Sequence, residues 1–552
     1  MVAVVDIARE EHELRHTSVE SRLSTGRLLR LALPALLLLG SILIPSLSKP
    51  FTIDDTTFLK QSEHALLDPL HPTAFDIVWD HDEPDRWSRE MVSGPVMSWL
   101  LVPTVVSGGR EIVAHGTVLL FGWMLVLGTV VLAARLGLSP GSACVAGLLL
   151  AATPAVLGMA ATAMADVPAA AFGVVGLERL LAWKERPCLY RGLAAAGLLT
   201  LAALTRSHLV GLVGVGALFI DERPRWRYFW PLALVLPGMF AVLWLTRDVA
   251  AQVGVASAFA ARLRHVEYWR TVLNGLAFTG DFVLVVPLAV YQLLTGGGRR
   301  LASSTLVGTA VAAVLLVSAA LSRQLWTAPI AGLGIASVYI TVRDAISTRS
   351  ASRRALSAWL FLAAPAILYV HLPPKYLVAS APAVAILCAG SWRSHRTTRL
   401  GVSVVLLLGA LLGGLIIGAD TRLATVGQRA AAELVRPSIA AGHRVWFDGH
   451  WGFHYYAERE GAKALTASTT MRAGDRVVVN AGALRGRLLF QLPCRTRIAA
   501  VEDVAPGGRI MSVEDHAGFF SPHWGYLPWS WSASSVIDRF ELWEIGADCK
   551  SR

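Results

Sequence analysis

Apolar stretches of about twenty residues recur between residue 28 and about residue 419, and they constrain this chain more than any other feature. A helix needs about 20 apolar residues to cross the hydrocarbon core of a bilayer, where only helices and closed barrels satisfy the backbone. The stretches are continuous runs of Leu, Ala, Val and Gly without the alternation of a β-strand, which indicates helices. The sequence therefore predicts an α-helical polytopic membrane protein.

We predict about thirteen transmembrane helices from these stretches. Several are short for a full crossing, and the interruption from Thr205 to His208 could instead be a kink within one longer span. The candidate helices lie at residues 28–47, 112–134, 141–160, 164–183, 191–206, 208–221, 229–246, 274–294, 303–321, 325–342, 356–371, 375–391 and 400–419.

The distribution of positive charge predicts the orientation of the chain. With thirteen crossings, basic residues collect in every second connection, as Arg223, Arg225 and Arg227 do in one loop and Arg353 and Arg354 in another. Cytoplasmic loops carry such an excess, so we predict a multi-pass protein of the cell (inner) membrane with a cytoplasmic N-terminus. The net charge of +11 needs no nucleic-acid partner, because basic loops that face anionic lipid account for much of it.

Composition divides the chain into three predicted parts. Residues 1–27 form a charged cytoplasmic arm, and residues 28–419 form the membrane domain, which includes a first external loop at residues 48–111. Residues 420–552 form a small extracytoplasmic soluble α/β domain. Its strands are predicted from runs of strand-forming residues between turns, at His443–Asp448, Leu465–Ala467, Asp475–Asn480 and Phe540–Ile545.

Residues 420–552, called the tail below, contain a glycine between two histidines and a pair of cysteines that bear on its structure. Gly452 stands between His450 and His454, and a glycine at that place favours a turn over a helix. Cys494 and Cys549 share the predicted external compartment, so a disulfide between them and two unpaired thiols both stay open.

Ionisable residues, which are costly near a bilayer and by default indicate a functional site, gather at one predicted face of the membrane. The adjacent carboxylates Asp54 and Asp55 follow the first predicted helix. The predicted topology brings four further elements to the same face: the 159–166 loop, Arg206, Arg323 and the His371–Tyr376 turn. A carboxylate can act as general base toward a hydroxyl, while Arg and Lys stabilise a phosphate leaving group. A sugar donor on a lipid phosphate fits both, because its tail stays in the bilayer and its head group lies at this interface.

These residues resemble the motifs of one family of membrane enzymes. The aspartate pair after the first helix, the Ala165-Asp166-Val167-Pro168 junction and the stretch from Lys375-Tyr376-Leu377 to Pro382 are similar to glycosyltransferase family 39. That family contains the dolichyl-phosphate-mannose protein mannosyltransferases and the bacterial lipid A aminoarabinose transferases, and it has the GT-C architecture. The resemblance covers roughly residues 28–210 and 370–391. It implies a hexosyl- or pentosyltransferase that uses a polyprenyl-phosphate sugar and inverts the configuration of the sugar.

The resemblance also implies a role for each matching residue. Asp54 stands where the family has the base that activates the acceptor hydroxyl, and Asp55 stands where the family usually has a glutamate. Asp166 matches a second acidic residue that helps to shape the site. The candidates for binding the donor phosphate are Arg206, Lys375 and Tyr376, with Arg86, Arg89 and His371 as additional candidates.

Three of these assignments have purely structural alternatives. Asp54 could cap a helix that begins near Thr56, and Asp166 could be an N-cap ahead of Pro168. Arg206 could extend its side chain along the helix to the membrane interface by snorkelling.

No cofactor is required for the implied reaction, and the sequence contains no phosphate-binding Gly-rich loop with Lys and Ser or Thr. The acidic and histidine residues of the first loop match no recognised set of metal ligands, so no metal residue is assigned and a divalent metal is the less favoured alternative; they are His64, His71, His81, Asp82, Glu83 and Asp85. The implied partners are a polyprenyl-phosphate-linked sugar donor, membrane lipid, and an acceptor that is a lipid, a polysaccharide or a protein.

Two other functions stay open at this point. A transporter or flippase for lipid-linked saccharide would place its essential charges at mid-membrane between two related halves, whereas the acidic residues here collect at one face. A non-catalytic sugar-binding assembly factor would depend on the tail from residue 420 onward.

Overall fold

Among the residues that the structure describes, helices form most of the chain up to residue 440, and the strands begin at Val445. The computed structural model describes residues 25–78, 94–220, 228–248, 272–273, 275–277, 279–280, 289, 292–293, 298–318, 322–348, 350–363, 373–390, 396–482, 494–521 and 524–546. The α-helices with full bounds in this part are α1 (Thr25–Leu43), α2 (Asp55–Leu67), α3 (Val96–Leu100), α4 (Val102–Val106), α5 (Glu111–Arg135), α6 (Pro140–Ala151), α7 (Pro154–Ala160), α8 (Asp166–Glu185), α9 (Leu189–Thr205), α10 (Leu212–Ile220), α11 (Trp230–Ala233), α12 (Val235–Leu245), α13 (Gly298–Ser318), α14 (Ala328–Ser347), α15 (Ala351–Trp359), α16 (Pro374–Leu377), α17 (Ala381–Gly390), α18 (Arg396–Ala430), α19 (Arg436–Ala440) and α20 (Trp451–Arg459).

The described helices support an integral membrane protein. By length and composition, five described helices can cross a membrane: Gly26–Ser46, Glu111–Arg135, Gly298–Val317, Gln324–Ser347 and Arg399–Ala440. The number is six if α6 and α7 together form one bent span. Other apolar helices are only 10–17 residues long, at Val96–Val106, Leu189–Thr205, Ser207–Ile220, Trp230–Leu245 and Pro374–Gly390. The predicted number of thirteen is therefore not confirmed, and most of the predicted helix at 274–294 lies outside the described residues.

A break between two helices precedes Asp166, one of the residues predicted to form the site. The sequence predicts one helix over residues 141–160, but α6 and α7 are separate and bent by 58°. Pro154 explains the break, since it has no N–H to continue the hydrogen bonds of α6. After α7 the chain turns through Thr162 and Ala163 and begins α8 at Asp166, which places that carboxylate at the positive end of a buried helix.

A second break isolates Arg206. Helix α9 ends at Thr205, Arg206 is extended (φ −145°, ψ 113°), and a 3-10 helix follows at Ser207–Gly211. The interruption noted in the sequence is thus a real change of backbone conformation. Gly94 packs directly on this end of α9, because a Cβ there would lie 2.0 Å from the carbonyl oxygen of Leu204.

The tail folds around a mixed β-sheet. The strands of the tail are β1 (Val445–Asp448), β2 (Lys463–Ala464), β3 (Arg476–Asn480), β4 (Arg495–Arg509), β5 (Met511–Ser512), β6 (Ala517–Gly518) and β7 (Ser530–Ile545). Five of them form the sheet in the order β2-β1-β3-β7-β4, with parallel pairing for β2-β1-β3 and antiparallel pairing for β3-β7-β4. The predicted strands at 443–448, 475–480 and 540–545 are confirmed. The strand predicted at 465–467 is wrong, because β2 ends at Ala464, and β4 was not predicted. Both alternatives for Cys494 and Cys549, a disulfide and two unpaired thiols, stay open, since Cys549 lies outside the described residues.

Helix α20 of the tail packs on the start of the first loop. The hydroxyl of Thr56 donates to the carbonyl oxygen of Trp451 at 2.6 Å, and the N–H of Phe51 donates to the hydroxyl of Tyr456 at 2.9 Å. The expectation of a turn at Gly452 is wrong, because Gly452 lies inside α20. A glycine is needed there for close approach rather than for a turn, since a Cβ would lie 1.8 Å from the carbonyl oxygen of Phe51. The tail is therefore held against the segment that carries Asp54.

Candidate functional site

The backbone just before the aspartate pair is strained. Ile53 has a φ of +44°, in the left-handed region that a β-branched residue rarely adopts. The N–H of Asp55 donates to the carbonyl oxygen of Thr52 at 3.0 Å, which closes a tight turn around Ile53. Strain of this kind costs about 1–3 kcal/mol and concentrates at functional sites. The local sequence does not predict the positive φ of Ile53, because isoleucine is not a turn residue.

Asp54 forms an ion pair instead of a helix cap. Its carboxylate Oδ2 lies 2.9 Å from the Nζ of Lys375, at the start of α16. Although Asp54 occupies the N-cap position of α2, its side chain makes no capping hydrogen bond. The cap alternative is therefore wrong. The side chain of Asp54 is 19% exposed and that of Lys375 is 8% exposed, so the pair is partly shielded while the carboxylate stays accessible.

Asp166 and Arg206 form a second, more deeply buried ion pair. The Nη2 of Arg206 donates to Oδ2 of Asp166 at 2.7 Å, and both side chains are less than a tenth exposed. Asp166 is the first residue of α8 rather than its N-cap, which is Ala165. Burial also excludes the snorkelling alternative for Arg206. Asp54, Lys375, Asp166 and Arg206 are called the four-charge cluster below.

Tyr376 lies between the two ion pairs. The centroid of its ring is 5.7 Å from the Nζ of Lys375 and 5.9 Å from the Cζ of Arg206. The ring of His208 meets it edge-on, with the centroids 5.5 Å apart. The charge of Lys375 also interacts with those of Arg206 and Asp166. Two cations are thus held around one aromatic ring, each with one carboxylate.

Asp55 has a different environment from Asp54. It is fully buried, its Oδ1 accepts the N–H of Ala163 at 2.8 Å, and its Oδ2 accepts the N–H of Thr52 at 3.0 Å. Both oxygens are thus occupied by backbone donors that join the first loop to the turn before α8. Burial raises the pKa of Asp55 from its ordinary 3.8 to about 7, while Lys49 and the two backbone N–H groups act in the opposite direction.

This raised pKa predicts a pH-dependent stability. The folded chain keeps a proton on Asp55 at pH values where the unfolded chain has lost it, so the contribution is complete below about pH 4 and is lost as the pH rises through about 7. Asp55→Asn does not titrate, and we expect its melting temperature to fall less than that of the native protein between pH 4.5 and pH 7.5. Asp68→Asn, at an exposed carboxylate that ends α2, is the matched control. Equal falls in the native protein and in Asp55→Asn would contradict the prediction.

A buried ion pair behind Asp55 joins the first loop to the last long helix. Lys49 forms a short contact with Asp420 of α18, and neither side chain is more than 3% exposed. The hydroxyl of Thr52 donates to Oδ1 of Asp420 at 3.3 Å. Lys49, Asp420 and His208 are not among the site residues predicted from the sequence. The one feature of the sequence that could have indicated this ion pair is an acidic residue, Asp420, directly after an apolar run.

Several predicted groups cannot be placed. Arg86, Arg89 and His371 lie outside the described residues, and so does the side chain of Arg323. The histidine and acidic residues at 81–85 lie there too. Among the residues that the structure describes, no group of three or more His, Cys, Asp or Glu side chains could hold a metal ion.

Comparisons with known proteins add a similarity of structure. No protein-family model and no curated protein matches the chain. ArnT from Cupriavidus metallidurans bound to undecaprenyl phosphate is 16% identical; the match covers 83% of this chain and 94% of that one, with a TM-score of 0.40. The archaeal oligosaccharyltransferase AglB from Archaeoglobus fulgidus, in complex with an inhibitory peptide and a dolichol-phosphate, is 10% identical, with 80% and 64% covered and a TM-score of 0.45.

The arabinofuranosyltransferase AftD from Mycobacteria is 14% identical, with 96% of this chain and 42% of that chain covered and a TM-score of 0.40. With TM-scores below 0.5, these similarities assign neither a family nor an activity to this chain.

Proposed function

We propose that this chain is a membrane glycosyltransferase that moves a monosaccharide from a polyprenyl-phosphate donor to a hydroxyl of an extracytoplasmic acceptor. The observation that carries the proposal is the four-charge cluster, in which an accessible carboxylate is paired at 2.9 Å with a shielded lysine. Charges are retained near a bilayer when they act on a substrate, because their desolvation is otherwise costly. A base beside two cations suits the transfer of a group from a phosphate to a hydroxyl.

In the proposed reaction, Asp54 accepts the proton of the acceptor hydroxyl. The acceptor oxygen attacks the anomeric carbon of the sugar from the face opposite the phosphate, so its configuration is inverted. The bond between that carbon and the phosphate oxygen breaks, and its electron pair leaves on the polyprenyl phosphate. Lys375 and Arg206 stabilise the developing negative charge there, as preorganised cations do at other leaving groups.

The pairing of Asp54 with Lys375 links donor binding to activation of the base. A carboxylate bound to a lysine is a weak base, because the ammonium group stabilises its charged form. A donor phosphate beside Tyr376 would compete for the same ammonium group. Asp54 would then be released to the acceptor hydroxyl only when a donor is bound, which would limit hydrolysis of the donor by water.

The other candidate residues have supporting roles in this proposal. Asp55 positions the Thr52–Asp54 turn through its two backbone hydrogen bonds, and Asp166 holds Arg206. Tyr376 spaces the two cations. The proposal takes the site and the tail to lie together on the extracytoplasmic side, and the packing of α20 against the segment that carries Asp54 supports their common location.

Reconstitution into vesicles tests the function. The purified protein would be given undecaprenyl phosphate that carries labelled mannose, glucose or arabinose, together with an alkyl glycoside acceptor and a membrane extract as a second source of acceptors. We expect transfer of label from at least one donor, with the opposite anomeric configuration in the product. Movement of the labelled lipid between leaflets without any transfer would instead identify a transporter or flippase.

A further inference from the structure

Three polar atoms around Tyr376 have no hydrogen-bond partner among the described residues. They are Oδ1 of Asp166, Nε of Arg206 and Nε2 of His208, and all three atoms are buried. Asp166 is 3% exposed and Arg206 is 7% exposed. An unpaired buried polar atom costs about 1–3 kcal/mol, and such atoms are rare in native proteins unless something else binds them.

The three atoms belong to one place in the fold. Arg206 bonds to Asp166 through Nη2, and His208 follows Arg206 by two residues on the 3-10 helix. Arg206 and His208 both contact the ring of Tyr376. The unpaired atoms therefore belong to residues that adjoin one another through the Asp166–Arg206 pair and the ring of Tyr376.

The chemistry of the three atoms excludes a phosphate as their common partner. A phosphate oxygen accepts hydrogen bonds, so it suits the N–H of Arg206 but cannot satisfy the carboxylate oxygen of Asp166. That oxygen requires a donor. A neutral imidazole nitrogen either donates or accepts, according to its tautomer. A hydroxyl group suits the carboxylate oxygen of Asp166 as well as the nitrogen atoms, because it donates one hydrogen bond and accepts others.

We infer that Asp166 and His208 bind a hydroxyl group of the sugar ring of the donor, and that His208 thereby helps to determine which sugar is transferred. The inference rests on the proposed function and adds a subsite for the sugar to the phosphate-binding cations. Asp166 accepts from the hydroxyl, and His208 bonds to its oxygen or to the neighbouring hydroxyl. Discrimination of this kind is strong, since a donor without the hydroxyl leaves the buried groups unpaired.

Binding measurements with His208→Phe test the subsite apart from catalysis. Phenylalanine keeps an aromatic ring for the edge-on contact with Tyr376 and, although its ring is larger, removes both ring nitrogens. We expect affinity for sugar-bearing undecaprenyl phosphate to fall about tenfold or more, while affinity for undecaprenyl phosphate alone stays within about twofold. His208→Gln should recover part of the loss. His64→Phe is a matched control, because His64 contacts the ring of Phe75 at 5.2 Å in the first loop and should bind both lipids normally.

Deoxy sugars identify the hydroxyl. Among donors that each lack one ring hydroxyl, we expect one to bind the native protein about tenfold more weakly and to bind His208→Phe no more weakly than the complete donor does. The inference would be overturned if His208→Phe weakened the binding of the sugar-bearing lipid and of the bare lipid equally. It would also be overturned if the variant still discriminated between the complete donor and the deoxy donors as the native protein does. Either result would show that the unpaired atoms bind water. Those results leave the proposed function intact if the native protein transfers sugar. A native protein that neither transfers sugar nor prefers the sugar-bearing lipids would overturn both.

Discussion

Asp54→Asn should lower the rate of sugar transfer by about a hundredfold to ten-thousandfold, the range expected when a general base is removed. Asparagine has nearly the same shape and still accepts a hydrogen bond from Lys375 through its amide oxygen, but it cannot take a proton from the acceptor hydroxyl. The effect should therefore appear in the maximal rate at saturating donor. Affinity for undecaprenyl phosphate should stay equal or increase, because Lys375 is no longer bound to a carboxylate.

Asp54→Asn could also lower activity by impairing folding, since it leaves the shielded ammonium group of Lys375 without a charged partner. Melting temperature and donor affinity are measured on the same preparation. Asp54→Glu keeps a carboxylate at a shifted position and should retain more activity than Asp54→Asn. Asp68→Asn, an exposed change at the other end of α2, should be close to native. Near-native turnover by a folded Asp54→Asn protein would remove Asp54 from the mechanism.

Asp420→Leu should lower the free energy of unfolding by about 3–5 kcal/mol, the largest stability effect expected in this chain. The substitution leaves the ammonium group of Lys49 buried without its counter-ion, and the side chain of Lys49 is 0% exposed. It also removes the acceptor of the Thr52 hydroxyl. Reversible unfolding in detergent or bicelles, followed by tryptophan fluorescence, measures the change.

The double variant Lys49→Met/Asp420→Leu distinguishes an unpaired charge from a general packing defect. Removing both charges should recover most of the lost stability, because two apolar side chains of similar size require no desolvation of ions. The Arg300–Asp344 pair, about half-exposed on both sides, provides the control, and Asp344→Ala should cost less than about 1 kcal/mol. If the double variant were as unstable as Asp420→Leu, the ion pair would not be the source of the effect.

The strained turn at Ile53 and the Lys49–Asp420 pair belong to one arrangement. Thr52 bonds to Asp420, and Asp55 bonds to Thr52, so the turn that presents Asp54 is held from both sides. A recovered double variant that still transfers sugar slowly would show that the pair also positions Asp54.

Much of the local structure could be predicted from the sequence alone. Continuous apolar runs predicted helices, strand-forming runs predicted β1, β3 and the end of β7, and the predicted topology brought Asp54, Asp166, Arg206 and Lys375 to one membrane face. Such signals are visible because hydropathy and helix termination depend on residues within one or two turns of each other. The break at Thr205–His208 belongs to the same class.

The pairing of the charges and the presence of unpaired polar atoms follow instead from the packing of segments that are distant in the sequence. Lys49 and Asp420 are 371 positions apart, and Lys375 and Asp54 are 321 apart, so no local pattern relates them. The helical conformation of Gly452 was decided by close packing on Phe51, which overrides the ordinary preference of glycine for turns. His208 became a candidate because its ring meets Tyr376 across the fold. Partner choice is a property of the packed chain, since the energy of a buried charge depends on every group that surrounds it.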